Sequence, residues 1–239
     1  MKGKSSNKTT SKVPNQKLSA KDEEFIKYHR DLRGEIDNAN WHFTTWKYLW
    51  NAVENNLDEM NVAHTFFRLT MRGHLLETLL RLSKICNRGV GTLSMPDFLD
   101  FVKKDLDVFS KRAVDKGRHG EEGYEIEMEV IAVEWPEITD DLVDQHLRRI
   151  EALPLGRLKE WTKQTLSHVD KKVAKKDISV FEECPVDIEQ VDTIIETVHE
   201  ILNVYSAAYD GQTWDKDLTF VHGIQNLLNA VRAGKAAKP

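Results

Sequence analysis

A chain of 239 residues, 40% hydrophobic and 31% charged, has material for one sizeable core or two small ones. Its formal net charge of -5 excludes a protein whose whole surface tracks nucleic acid, because phosphate binding needs a concentrated positive field; a local basic site stays open. Two cysteines, Cys86 and Cys184, are too few for a disulfide framework, no apolar run approaches the roughly 20 residues a bilayer needs, and no secretory leader is visible, so a cytoplasmic protein that does not span a membrane is expected.

Gly (12) and Pro (6) are scarce and alternating strand-like runs are few, which predicts an all-α fold, a helical bundle with long antiparallel helices. Residues 1–18 are Lys, Ser, Thr and Asn with almost nothing apolar; they read as a disordered basic tail, and residues 233–239 as a second one, leaving 19–232 as a single helical domain.

Ser19, followed by Asp22 and Glu23, has the capping hydroxyl and first-turn acids of a helix start. Phe25, Leu32, Ile36, Ala39, Phe43, Trp46, Trp50, Val53 and Leu57 then step by threes and fours, the seam of one long helix of about 45 to 55 Å. Trp41 and Tyr48 lie on a second face, so two sides are expected to be covered. Asn55, Asn56 and Asp58 offer a break. A second helix is predicted from about Asn61 to Asn87, burying Ala63, Phe66, Phe67, Met71, Leu75, Leu79, Leu82 and Ile85 and ending at Arg88-Gly89. Ser94, with Pro96 just inside, caps a third helix through Phe98, Phe101, Val102, Leu106 and Phe109.

Around residues 111–137 the helical pattern fails. Gly117, Gly120 and Gly123 read as a loop, and Tyr124 to Val130 alternates acids with Ile126, Met128 and Val130, a weak hairpin signal; an insertion between helices is expected. Thr139 caps a helix from Asp140 to about Ala152, and Pro154 to Gly156 separates it from the segment Arg157 to Asp170, RLKEWTKQTLSHVD. After a loop through Cys184-Pro185, one helix of about Asp187 to Ala208 buries Ile188, Val191, Ile194, Ile195, Val198, Ile201, Leu202 and Tyr205. A last one, about Leu218 to Val231, buries Phe220, Val221, Ile224, Leu227, Leu228 and Val231.

Chemistry is suggested in one place. His168 lies beside Asp170, with Lys171, Lys172, Lys175 and Lys176 after it and Lys159 and Lys163 before it. Such a cluster attracts an RNA backbone; equally, lysines favour the negative end of a helix, and a single histidine can be a satisfied core or dimer-seam residue. Glu196 and His199 have the Glu-x-x-His spacing of di-iron bundles, but a site needs two such pairs and no second is present, so no metal and no cofactor are expected. His64 and His74, ten apart on the second helix, are too distant to chelate together, and His74 with Glu77 reads as a polar edge contact.

Two segments together carry a resemblance. FFRLTMRGHLLETLLRLSKICNRGVGTLSMPDFL, from Phe66 to Leu99, resembles the second-helix region of the abortive-infection-U branch of the HEPN superfamily, and RLKEWTKQTLSHVD resembles that family's later helix, which reads Trp-Arg-polar, a short run, then Ala-His-x-Asp. The resemblance covers roughly Asp22 to Tyr209. It implies a helical bundle that commonly dimerises around one cleft, and a metal-independent ribonuclease of toxin and phage-defence systems, in which an RNA 2′-hydroxyl attacks its own phosphate. His168 would then move protons and Asp170 orient the site. This chain departs from the pattern at the arginine: aligned on Trp161, the position holds Thr162, and Lys163 supplies a charge without a bidentate fork. The expected protein is an RNA-directed HEPN-like protein with a degenerate site at His168, Lys163, Asp170 and Thr162, a homodimer with an antitoxin or defence protein as further partner; the alternative is the same bundle as a scaffold without chemistry.

Overall fold

The computed structural model describes residues 18–89, 91–110, 136–156, 158, 187–215 and 222–236. Within them the chain is all-α: six α-helices and one 3-10 turn, with an isolated bridge between Gly89 and Thr92 as the only β pairing among the described residues. The expected 111–137 insertion falls largely outside them.

Helix α1, Ala20–Val62, is the spine. Ser19 caps it as expected: its hydroxyl accepts from the Asp22 amide while the Asp22 carboxylate takes the Ser19 amide at 2.9 Å, a reciprocal capping box. The helix runs 43 residues, about 65 Å at 1.5 Å per residue, longer than its periodicity suggested. Asn56 does leave helical geometry (φ -137°), but the chain resumes the helix and breaks only at Ala63 (φ -132°). The Asn-rich stretch therefore makes a kink, with Asn56 Nδ2 donating back to the Ala52 carbonyl.

Helix α2, His64–Cys86, folds back along α1. His42 meets His74, Ala39 meets Thr78, and Glu35 meets Arg81, so the two helices run antiparallel. It ends at Cys86 with Asn87 extended as its cap; the left-handed glycine of the following turn is Gly91 (φ 74°), not the expected Gly89. Ser94 caps α3, Met95–Lys104, through the Asp97 amide, and α3 gives way to the 3-10 turn Leu106–Phe109 rather than continuing. Thr139 caps α4, Asp140–Glu151. Asp187 caps α5, Ile188–Asp210, which Gly211 closes in the left-handed conformation (φ 75°). The last helix, α6, spans His222–Ala236.

The main core joins the first two thirds of α1 to α2, α3, α4 and α5. Phe25, Phe43, Leu82, Phe98, Ile194 and Tyr205 are among its fully buried side chains, each contributing about 1.5–3 kcal/mol of transfer free energy. Phe25 packs against Phe98, Phe109 and Tyr209 with centroids at 5.9, 5.1 and 4.7 Å, tying α1 to α3, the 3-10 turn and α5. A second, smaller cluster of Leu49, Met60, Phe67 and Leu228 sits at the far end, where α6 meets α1 and α2.

The far end corrects the predicted seam. Trp50 and Leu57 are exposed (55% and 54%), and Leu49 and Met60 take the buried positions. Past Trp46 the buried stripe drifts around the helix and the Asn56 kink turns it further, so a straight continuation of threes and fours points outward. Phe66 is likewise exposed at the start of α2, as are Trp41 on α1 and Leu227 on α6; of the predicted α6 core only Leu228 is fully buried, and Phe220 and Val221 lie outside the described residues.

Candidate functional site

Every residue of the expected site (His168, Lys163, Asp170, Thr162, Lys171, Lys172, Lys175 and Lys176) lies outside the described residues, as do Lys159, Cys184 and both basic tails apart from Leu18 at one end and Ala233 to Ala236 at the other. The described chain fixes the flanks of that segment. Leu158, the second residue of RLKEWTKQTLSHVD, is buried in the main core, and Asp187, where the described chain resumes, accepts from the Gln190 amide at 3.2 Å to open α5.

Within the described residues, polar and titratable groups gather at three places. The first is buried. His146 of α4 pairs its Nδ1 with the Tyr205 hydroxyl of α5 at 2.9 Å, both side chains being enclosed by the core. Burial lowers the His146 pKa to about 4, with Arg149 adding to the effect, and pushes the Tyr205 hydroxyl up. The pair satisfies two buried polar groups and is sealed from solvent, which suits a core tie rather than catalysis.

The second gathers around Trp214, after α5. Asn203 accepts the Trp214 amide and donates to its carbonyl, both at 3.0 Å, while the indole N–H reaches Asp37 at 3.0 Å and Arg33 stacks over the ring at 4.3 Å. His199 meets the same ring edge-on at 5.0 Å. The sequence's Glu-x-x-His histidine thus belongs to an aromatic clasp. His29 completes it, edge-on to Trp214 and within 3.1 Å of the Leu202 carbonyl, with its pKa lowered by desolvation.

The third is half-exposed and lies on the α1–α2 seam. His42 Nδ1 and His74 Nδ1 face each other at 2.8 Å, one ring donating and the other accepting. Desolvation lowers both pKa values, so the pair is held neutral and shares one N–H···N bond. Two turns further along α2, Arg81 donates to Glu35 at 2.8 Å and to Glu77 at 2.7 Å, and Lys84 donates to the same Glu35 at 2.6 Å. Thr78 joins the helices between these layers by donating to the His74 carbonyl and reaching the Ala39 carbonyl. This seam can hold and exchange a proton, but Arg81 is no phosphate clamp here, since both terminal nitrogens are committed to carboxylates. Sequence reasoning paired His74 with Glu77 and passed over His42. Its only signal was the antiparallel register, which a turn placed at residues 55–58 instead of 63 misaligns.

Other groups carry less chemistry. Cys86 is buried and its thiol is pushed up to about 12, which makes it inert as a nucleophile. An open cavity of about 540 Å³ beside α3 is lined by Glu24, Tyr28, Asp97, Asp100, Phe101 and Lys104 among others, and its acids are partly neutralised by Arg88, which bonds Asp97 and Asp100. Among the described residues no three His, Cys, Asp or Glu side chains converge as a ready metal site, and no helix is long and apolar enough to cross a membrane.

The family model HEPN_AbiU2, described as AbiU2, aligns with residues 22–226. No curated protein and no solved structure matches the chain.

Proposed function

The chain belongs to the AbiU2 family and carries an abortive-infection-type HEPN domain, and from that premise we propose that it acts on RNA in a phage-defence or toxin-antitoxin type system through a weakened, metal-independent ribonuclease site on residues 157–170. The observation that carries this reading is the extent of the family match: residues 22–226 include the whole of RLKEWTKQTLSHVD. In that site the 2′-hydroxyl of the RNA attacks the adjacent phosphate. His168 takes or returns the proton, Asp170 orients it, and Lys163 offsets charge on the phosphorane. Lys171, Lys172, Lys175 and Lys176 hold the backbone electrostatically, so binding weakens with salt. Thr162 stands where the arginine fork belongs, and losing one main transition-state donor costs roughly a hundredfold or more in rate.

The test is incubation of the full chain with cellular RNA in the presence of chelator. Slow cleavage is expected, abolished by His168→Ala and raised about a hundredfold by Thr162→Arg. Failure of all three proteins to cut or to bind RNA would overturn the reading.

A second reading keeps the family and drops the chemistry: a cytoplasmic scaffold that binds a second copy or a defence partner. Thr162 favours it, as do Trp50, Leu57, Val62, Phe66 and Leu69, large apolar side chains exposed along α1 and α2. RNA binding without cleavage by the wild type, together with a homodimer by light scattering, is the outcome that selects it.

A further inference from the structure

We propose that Trp50 of α1 and Arg68 and Arg72 of α2 form a binding shelf for single-stranded RNA, the indole stacking a base and the two guanidinium groups holding phosphates. The choice of RNA rests on the RNA-directed reading given above, but every residue of the shelf belongs to α1 or α2 and none to residues 157–170.

Two periodic strips meet there. On α1, Ile36, Ala39, Phe43 and Trp46 step by threes and fours through the main core, and the next step is Trp50. On α2, Cys86, Leu82, Leu79 and Leu75 step back toward the same end, and the next steps are Arg72, Arg68 and His64. Both strips therefore point to the side on which the main core lies, and both run past its end. Trp50 is exposed there, as are Arg72, Arg68 and His64. Lys47 bonds Asp192 at 2.7 Å, about one turn inside the start of α5, so the described helix that flanks α1 through the core gives out near Trp50. The antiparallel register brings the strips side by side: Ala39 meets Thr78, His42 meets His74, and Leu49 shares the small cluster with Phe67, which sets Trp46 and Trp50 abreast of residues 66–72.

Each half of the shelf suits one half of a nucleotide. Trp50 stacks on Trp46 with ring centroids 5.6 Å apart and planes at 24°, which holds the indole as a rigid platform while leaving it open to a base. Arg81, Arg88, Arg149 and Arg232 each bond a carboxylate. Arg68 and Arg72 meet none among the described residues, so their forks are available to phosphate oxygens, and at four residues' spacing they face the same way. Glu54, exposed four residues on from Trp50, borders the shelf and repels the strand toward α2. A duplex hides the faces of its bases, which commits the indole to a single strand.

The experiment is anisotropy titration of labelled 2′-O-methyl single-stranded RNA, which cannot be cut through its own 2′-hydroxyl, with the full chain at several salt concentrations. Trp50→Ala should weaken binding about tenfold at an unchanged salt slope, and Trp50→Phe should retain most of the affinity. Changing Arg68→Gln and Arg72→Gln together should lower the slope of log affinity against log salt by about 1.4, the value for two phosphate contacts on a single strand. Melting temperatures should stay near wild type, since the altered side chains are exposed. Wild-type affinity in both the alanine and the double glutamine variants, with binding lost instead on changing Lys171, Lys172, Lys175 and Lys176 to Ala, would overturn the shelf and leave the reading of residues 157–170 standing. Absence of binding by the wild type would overturn the shelf, and the cleavage test judges that reading separately. A dimer that falls to a monomer in Trp50→Ala at unchanged RNA affinity would assign the face to a second copy and overturn the shelf as well.

Discussion

The two ends of α1 are built from one helix and comparable residues, yet they behave differently. In the first two thirds, Phe25, Leu32, Ile36, Ala39, Phe43 and Trp46 meet helices on several sides and are buried without exception. In the last third, Leu49 and Met60 meet, among the described residues, Phe67 of α2 and Leu228 of α6, while Trp50, Leu57 and Val62 stay exposed. A helical stripe is buried only where enough neighbours surround it; periodicity states which residues could face a partner and not whether one is present. The polar contacts follow the same division. The main core is tied by His146–Tyr205 and by the Trp214 clasp, and the far end by rim contacts such as Tyr48 to Gln225 and Arg232 to Glu59.

The contrast can be broken by cavities of equal chemistry. Leu82→Ala, in the main core, should cost about 4–5 kcal/mol, and Leu228→Ala, equally buried at the far end, about 2–3 kcal/mol, because a small cluster on one side of a terminal helix can collapse. Urea unfolding measures both; equal costs would show that the two ends are one cooperative core.

A smaller effect separates the ends by pH. His146 titrates near 4 in the folded chain against about 6.5 in the unfolded one, so above pH 6.5 both states are neutral and the group has no effect. As pH falls from 6.5 to 4 the unfolded chain takes up a proton that the folded chain refuses, and stability drops, on the order of 2–3 kcal/mol for a shift of this size. His29 and the α1–α2 histidine pair, also lowered, add to the slope. His146→Gln should therefore flatten the decline in unfolding free energy between pH 7 and 4.5, and a slope identical to wild type would remove His146 from the account. The smallest change is expected at the exposed positions of the far end: Leu57→Ser should alter stability by about 0.5 kcal/mol or less. A larger loss there would mean that the residue is covered in solution.

Much of the fold was readable in the residues. Ser19, Ser94 and Thr139 open helices because a short oxygen side chain satisfies amides that the helix cannot, a purely local chemistry. The α5 stripe from Val191 to Tyr205 was complete for a different reason: the helix is flanked along its length, so its whole apolar face finds partners. The seam past Trp46 and the α6 core were misread, since a kink at Asn56 and a scarcity of neighbours are not properties of local sequence.

The same division holds for function. Sequence alone determined the all-α class, the capped helix starts at Ser19, Ser94 and Thr139, and the family, because caps, periodicity and motif order are written along the chain. Tertiary structure decided which apolar residues are covered, and it decided the company of the histidines: His146 with Tyr205, His199 with Trp214, and His42 with His74. Those pairings depend on the register of packed helices, which one misplaced turn shifts and no local pattern records.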